Sequence, residues 1–134
     1  MNNDLTVEEY TTPYLVSIPP EASLDSGLEL MQEHGIRHLP VIQNGKLEGV
    51  VSQRDLVTHA GKSWAKILKV EDIMSTDPLV VRANDPLSEV AYLLSSSKVG
   101  SAIVMDENDE IFGIFTTTDA LNALVEIHYD PASL

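Results

Sequence analysis

The sequence predicts a mixed α/β fold, of the α+β kind, built from two copies of one β-α-β-β-α unit. Displacing the chain by 63 positions places Leu24 on Leu87, and a displacement of 64 places residues 49–55 on residues 113–119. Each copy has one amphipathic helical pattern followed by two short apolar runs with a turn between them. Because a unit of about 50 residues is marginally stable alone, we expect the two copies to pack with pseudo-two-fold symmetry around a shared core.

The duplication also sets the boundaries that we expect for the two repeats. Between the copies lies a stretch that carries three lysines and the chain's one tryptophan, Trp64. We expect repeat 1 at residues 10–59, a linker at 60–72, repeat 2 at 73–128, and terminal segments at 1–9 and 129–134.

Short sequence patterns predict the helices and strands of the first copy and their order. Apolar residues at helical spacing, beginning at Leu24, predict a helix that ends at Gly35, because glycine adopts the left-handed conformation at low cost. Asn44-Gly45 predicts a type I′ hairpin turn, which needs positive φ at both central residues. We expect a strand at 15–18, the helix from Leu24, hairpin strands at 39–42 and 47–51, and a second helix at 52–59.

The second copy repeats this order with a longer, acidic hairpin turn. Leu87, Val90 and Leu94 supply the helical spacing. Residues 106–110 are acidic but lack the twelve-residue ligand spacing of a calcium loop, so we interpret them as a solvated turn. We expect strands at 79–81, 102–105 and 111–115 and a second helix at 116–128.

Composition narrows the classes of function. Eight Lys and Arg against 21 Asp and Glu give a formal net charge of −13, which argues against nucleic acid and against anionic membrane surfaces as partners. The chain has no cysteine, which excludes disulfides and thiol chemistry. Its first residues lack a basic stretch followed by an apolar one, and no run reaches about 18 apolar residues. We therefore expect a soluble cytoplasmic protein.

Two motifs of the first copy carry a resemblance to a known family. Residues 36–42 read Ile-Arg-His-Leu-Pro-Val-Ile, and residues 49–56 read Gly-Val-Val-Ser-Gln-Arg-Asp-Leu. Together with the β-α-β-β-α order they resemble the cystathionine-β-synthase (CBS) domain, and residues 99–105 and 113–119 match it more loosely. The resemblance covers residues 10–128, so the chain looks like a stand-alone tandem CBS pair, also called a Bateman module.

The resemblance implies a regulatory module that binds an adenosine-containing ligand (AMP, ADP or ATP) in clefts between the repeats. Such a module signals occupancy through a dimer and performs no chemistry. In the family, the aspartate of an S/T-x-x-D motif holds the ribose and cationic residues contact phosphate. The implied first cleft comprises Ser52, Asp55, Arg37, His38 and Arg54 from repeat 1, with Val81, Gly100, Ser101 and Ala102 from repeat 2. The implied second cleft comprises Asp119, Thr116, Ile18 and Ile36.

We rank the first cleft above the second, because repeat 2 has no basic residue where repeat 1 has its three. From pattern alone, Ser52 to Asp55 and Thr116 to Asp119 are helix N-termini with a capping side chain. That interpretation is compatible with ligand binding, since a capped helix end can fix a polar ligand. By the same pattern Arg37 and His38 form a surface pair, and this alternative stays open.

No metal site or catalytic residue is predicted, and no cofactor is required. His34 and His38 are four apart, but Gly35 and Pro40 exclude one continuous helix. The strong negative charge favours AMP over polyphosphates unless Mg²⁺ accompanies them. We also expect a homodimer and a regulated partner protein. The alternative function is a structural dimerisation module that binds a protein partner while its ligand clefts are empty.

Overall fold

The computed structural model of the chain describes residues 5–13 and 16–133. These residues divide into two compact units: the first unit is residues 16–78, and the second unit combines residues 5–13 with 79–133. In chain order the regular elements are β1 (Thr12–Pro13), α1 (Leu24–His34), β2 (His38–Gln43), β3 (Lys46–Ser52), α2 (Gln53–Ala60), α3 (Val70–Ile73), β4 (Leu79–Arg82), α4 (Leu87–Ser97), β5 (Ser101–Met105), β6 (Ile111–Thr116) and α5 (Thr117–His128). Short 3₁₀ turns lie at Val7–Tyr10, Ala65–Ile67 and Pro131–Ser133.

The first unit is a helix-flanked β-hairpin. Strands β2 and β3 pair antiparallel around Asn44 and Gly45, whose φ angles of 53° and 76° are those of the predicted type I′ turn. Helix α1 ends at Gly35 with φ 64°, as its position after the apolar pattern predicts. The apolar faces meet in a core formed by Ile18, Leu24, Met31, Leu39, Val41, Val51, Leu56 and Val70.

The strand predicted at residues 15–18 is the least accurate local prediction. Leu15 lies outside the described residues, and of residues 16–18 only Ile18 pairs, through one parallel bridge to Val41. Beyond Ile18 the ladder cannot continue, because Pro19 and Pro20 have no N–H to extend it.

The second unit is built on a four-stranded sheet in the order β1-β6-β5-β4. Strands β5 and β6 form the hairpin, β4 lies parallel to β5, and β1 pairs antiparallel with β6. The acidic turn folds on itself, since the Asp106 carboxylate accepts the N–H groups of Asn108 and Glu110. The core of the unit is formed by Val7, Val81, Ala83, Leu87, Val90, Leu94, Ala102, Val104, Phe115 and Ala123.

Each hairpin is completed by a segment that precedes the other repeat in the sequence. Val7 and Val70 are both fully buried and lie 63 residues apart, one in each core. The segment from Val70 reaches the first unit's hairpin, where Ser75 bonds to Val50 in both directions. The segment from Val7 reaches the second unit's hairpin as β1. Residues 60–72, predicted as a linker, therefore contribute to the first unit, and residues 5–13 contribute to the second.

Candidate functional site

The junction of β3 and α2 supplies the polar groups of the first repeat. Strand β3 ends at Ser52 and helix α2 begins at the next residue, with no loop between them. The Ser52 hydroxyl accepts the N–H of Asp55 at 3.1 Å, so the capping interpretation of this motif is confirmed. The cap fixes Asp55 in the first helical turn, where the positive end of the helix dipole favours a carboxylate.

The carboxylate of Asp55 is half-buried and has no protein donor. Within residues 5–13 and 16–133, no side chain or backbone N–H donates a hydrogen bond to it, and no cation forms an ion pair with it. An ionised carboxylate is an acceptor with about four lone-pair positions. The carboxylate of Asp55 therefore keeps its acceptor capacity for water or a ligand.

Arg37 and His38 are brought to the same junction by backbone bonds. The N–H of Gln53 donates to the Arg37 carbonyl at 2.8 Å, and His38 lies opposite Ser52 in the hairpin register. The side chains of Arg37 and Arg54 are exposed, and neither forms an ion pair with a carboxylate of the described chain. The first repeat thus carries Asp55 and Arg54 in the first turn of α2 and Arg37 on the backbone segment bonded to that turn.

The equivalent junction of the second repeat has the same cap but a different carboxylate environment. The Thr116 hydroxyl accepts the N–H of Asp119 at 3.1 Å, and the Thr116 N–H donates back to Asp119 Oδ2 at 2.9 Å. The Thr12 hydroxyl lies 3.3 Å from Asp119 Oδ1 and 3.4 Å from Oδ2. Where the first repeat presents Arg37, the second presents Gly100, whose carbonyl accepts the N–H of Thr117.

The remaining predicted site residues occupy three kinds of position. The side chains of Ile18, Val81 and Ala102 lie in the cores and are 1%, 4% and 1% exposed. Ile36 and Ser101 are half-buried, and Gly100 is exposed. The backbone of Ile18 is fully used, because its N–H donates to Pro40 and its carbonyl accepts from Ile42. That residues of the two repeats line common clefts stays a prediction.

Neither a metal cluster nor a membrane span is found in the part of the chain that the structure describes. No group of three or more His, Asp or Glu there could hold a metal ion. His34 closes α1 and His38 opens β2, with the left-handed Gly35 between them. None of the described helices is both long and apolar enough to cross a bilayer.

The tandem α/β repeat, with a capped aspartate at each strand-to-helix junction, is the arrangement that the resemblance to CBS pairs implies. The CBS domain profile matches residues 7–62 and again 70–126. The chain belongs to the CBS domain family, and both the predicted tandem pair and the predicted mixed α/β fold with two repeats are confirmed.

Two solved structures and one enzyme illustrate the similarity. CBSX2, a CBS-pair protein of Arabidopsis thaliana, was crystallised in complex with AMP; it is 35% identical over 91% of this chain and 97% of its own, with a TM-score of 0.74. The CBS domain of a bacterial CNNM/CorC family Mg²⁺ transporter, in complex with ATP, is 29% identical over 92% of this chain and 89% of its own, with a TM-score of 0.79. Inosine-5′-monophosphate dehydrogenase of Korarchaeum cryptofilum is 33% identical over 84% of this chain, so CBS domains also occur within enzymes.

The chain spans only part of some curated relatives. It covers 23% of the Korarchaeum dehydrogenase and 45% of the uncharacterized protein MJ1225 of Methanocaldococcus jannaschii, to which it is 28% identical.

Sequence reasoning missed Thr12, which the structure brings to Asp119. A signal was available, because Thr12 and Ser75 are related by the displacement of 63 that aligns the helices. Their backbones occupy matching positions, with the Thr12 carbonyl against Gly113 and the Ser75 carbonyl against Gly49. The helical and hairpin patterns alone do not reveal this match, since both residues lie in short segments outside them.

Proposed function

We propose that the chain is a regulatory, non-catalytic module that binds an adenosine nucleotide of the AMP, ADP or ATP class at the Asp55 junction. The single observation that carries the proposal is the Asp55 carboxylate, fixed by a capped helix start and without a protein donor in the described chain. Membership in the CBS family supports it, as do the AMP complex of CBSX2 and the ATP complex of the CNNM/CorC domain.

Asp55 is proposed to hold the ribose. Two adjacent hydroxyls can each donate to one oxygen of an ionised carboxylate, and a hydrogen bond to a charged group contributes about 1.5–3 kcal/mol. The aspartate side chain is short and its backbone is fixed by Ser52, so little freedom is lost on binding. Contact of the base with Val81, Gly100, Ser101 and Ala102 stays a prediction, and the side chains of Val81 and Ala102 are buried in the core of the second unit.

Arg37, His38 and Arg54 are proposed to contact phosphate. Arginine suits this role because its planar fork of donors matches phosphate oxygens. The net charge of −13 opposes anions only weakly, since one unit charge at 10 Å in water contributes about 0.4 kcal/mol before salt screening. These small terms add over a polyphosphate, so we propose AMP as the preferred ligand and Mg²⁺ as a companion of ATP.

Isothermal titration with AMP tests the proposal. Asp55→Asn keeps the size of the side chain but removes its charge, so we expect the AMP affinity to fall at least tenfold. Asp119→Asn is the matched control in the second repeat and should leave the affinity within about twofold. If Asp55→Asn binds AMP as tightly as the unaltered protein, the site assignment is wrong.

A homodimer is proposed as the assembly that transmits occupancy to a regulated partner protein. On α5, Leu121, Leu124 and Val125 are 58%, 55% and 57% exposed and lie on one helix face, at the i, i+3, i+4 spacing. A second copy presenting the same face would bury it symmetrically. Light scattering should give twice the chain mass for the unaltered protein and the chain mass for Leu124→Asp, whereas an unchanged mass for this variant would remove α5 from the interface.

The same α5 face favours the second candidate function, a dimerising protein-interaction module with empty clefts. This candidate predicts that no adenosine nucleotide raises the melting temperature, whereas the proposed sensor gains about 2.7 kcal/mol when AMP is present at 100 times Kd. A cytoplasmic location, and the absence of nucleic-acid and membrane partners, stay predictions from composition.

A further inference from the structure

The carboxylate of Asp119 accepts hydrogen bonds from its own chain. The Thr12 hydroxyl is nearly equidistant from the two carboxylate oxygens, at 3.3 and 3.4 Å, and therefore faces both of them. On the same group, Oδ2 also accepts the Thr116 N–H at 2.9 Å. The carboxylate of Asp55 has no such partner in the described chain, although its helix is capped in the same way.

Thr12 belongs to a segment that is tied to the second unit at several points. At its start, the N–H groups of Val7 and Glu8 donate to the carbonyls of Asp85 and Ala83. The Val7 side chain is fully buried in the core, and Thr12 itself pairs with Ile114 of β6. The folded segment therefore holds the Thr12 hydroxyl beside Asp119.

We propose that Asp119 serves to hold the N-terminal segment (residues 5–13) and does not accept a ribose, so that each chain binds a single adenosine nucleotide, at Asp55. The nucleotide count rests on the proposed function, whereas the contact between Asp119 and the N-terminal segment does not. Thr12 acts as a positioning residue, because it determines which of the two family aspartates is open to a ligand.

Competition between Thr12 and a ribose follows from the geometry. A ribose that bonds through both hydroxyls must approach the side of the carboxylate that faces outward from both oxygens. The Thr12 hydroxyl already lies there, so the ribose would have to displace this hydroxyl from the carboxylate. The second repeat has no cation at the equivalent positions, since Gly100 and Thr118 stand where the first repeat has Arg37 and Arg54.

Hydrogen exchange of the ligand-free protein tests the holding role. Thr12→Val removes the hydroxyl but keeps a strand-forming shape, and the matched control Ser75→Ala removes the equivalent hydroxyl of the first unit. We expect the amides of Val7 and Glu8 to exchange about two- to tenfold faster in Thr12→Val and in Asp119→Asn, and unchanged in Ser75→Ala. The double variant Thr12→Val/Asp119→Asn should exchange no faster than the faster single variant, because both substitutions act on the same interaction. Unchanged exchange at Val7 and Glu8 in Thr12→Val would overturn the holding role.

Isothermal titration of the unaltered protein with AMP tests the nucleotide count. We expect one AMP per chain, lost in Asp55→Asn and kept in Asp119→Asn. Two AMP per chain, or a single one that Asp119→Asn abolishes while Asp55→Asn retains it, overturns the inference. Absence of AMP binding contradicts the proposed function instead, and the exchange experiment then still decides the role of Asp119.

Discussion

Replacing Gly113 by alanine should detach β1 from the sheet of the second unit. Gly113 is buried in β6, opposite Pro13. A Cβ at this position would overlap the backbone carbonyl oxygen of Thr12 and lie 2.8 Å from Thr11 Cγ2. Because Thr12 meets it with a backbone atom, no rotamer change relieves the overlap, and the N-terminal segment has to move.

The free-energy cost of Gly113→Ala can be converted into a decrease in melting temperature. Inserting a methyl group into a packed site costs about 1–3 kcal/mol. At about 2.1 cal/mol/K per residue, a chain of 134 residues has an unfolding entropy of about 280 cal/mol/K. Each kcal/mol then lowers Tm by about 3.6 °C, so Gly113→Ala should melt about 4–11 °C below the unaltered protein.

Thermal unfolding followed by circular dichroism measures this difference, with Gly61→Ala as the matched control. Gly61 has a φ of −82° and no atom within 4 Å of an added Cβ, so its alanine variant should melt within about 2 °C of the unaltered protein. If Gly113→Ala also melted within that range, the close approach of β1 to β6 would not be a packing constraint and the reasoning would be refuted.

Three further substitutions test packing, capping and surface charge, each by urea denaturation. Val70→Ala removes a fully buried side chain from the first core and should cost about 2–3 kcal/mol, so a loss below 1 kcal/mol would contradict its place there. Ser52→Ala removes the cap of α2 and should cost about 1 kcal/mol, with Ser52→Thr restoring it; equal stability of the two variants would argue against the cap. Asp109→Asn removes the ion pair with Arg82 at 2.6 Å, but both side chains are more than half exposed, so the cost should stay below about 1 kcal/mol; a larger loss would show that solvent does not screen the pair.

Local chemistry was sufficient to predict α1, α2, α4, α5 and the two hairpins, whereas α3 and β1 were not predicted. Asn44 and Gly45 determine their turn because few residues accept positive φ, and Gly35 ends α1 for the same reason. The capped junctions at Ser52 and Thr116 were also predictable, since a hydroxyl three residues before an aspartate marks a helix start.

The contacts that distinguish the two aspartates could not be predicted. Thr12 and Asp119 are separated by 107 residues, and no periodicity within the helices or hairpins connects them. The burial of Val7 and Val70 shows which segment completes which hairpin. In the sequence, however, each is a single valine within a short segment. Such long-range pairings depend on the whole fold, whereas caps and turns depend on a few neighbouring residues.

The second unit has a consequence for synthesis, because its parts come from both ends of the described chain. The first unit is contiguous and can fold as soon as Ser75 has left the ribosome. Val7 has no completed core until β6 emerges roughly a hundred residues later, which at about 5–20 residues per second is a wait on the order of 5–20 s. During this interval Leu5, Val7 and Tyr10 have no completed core to pack against, so the N-terminal segment stays unpacked until β6 emerges.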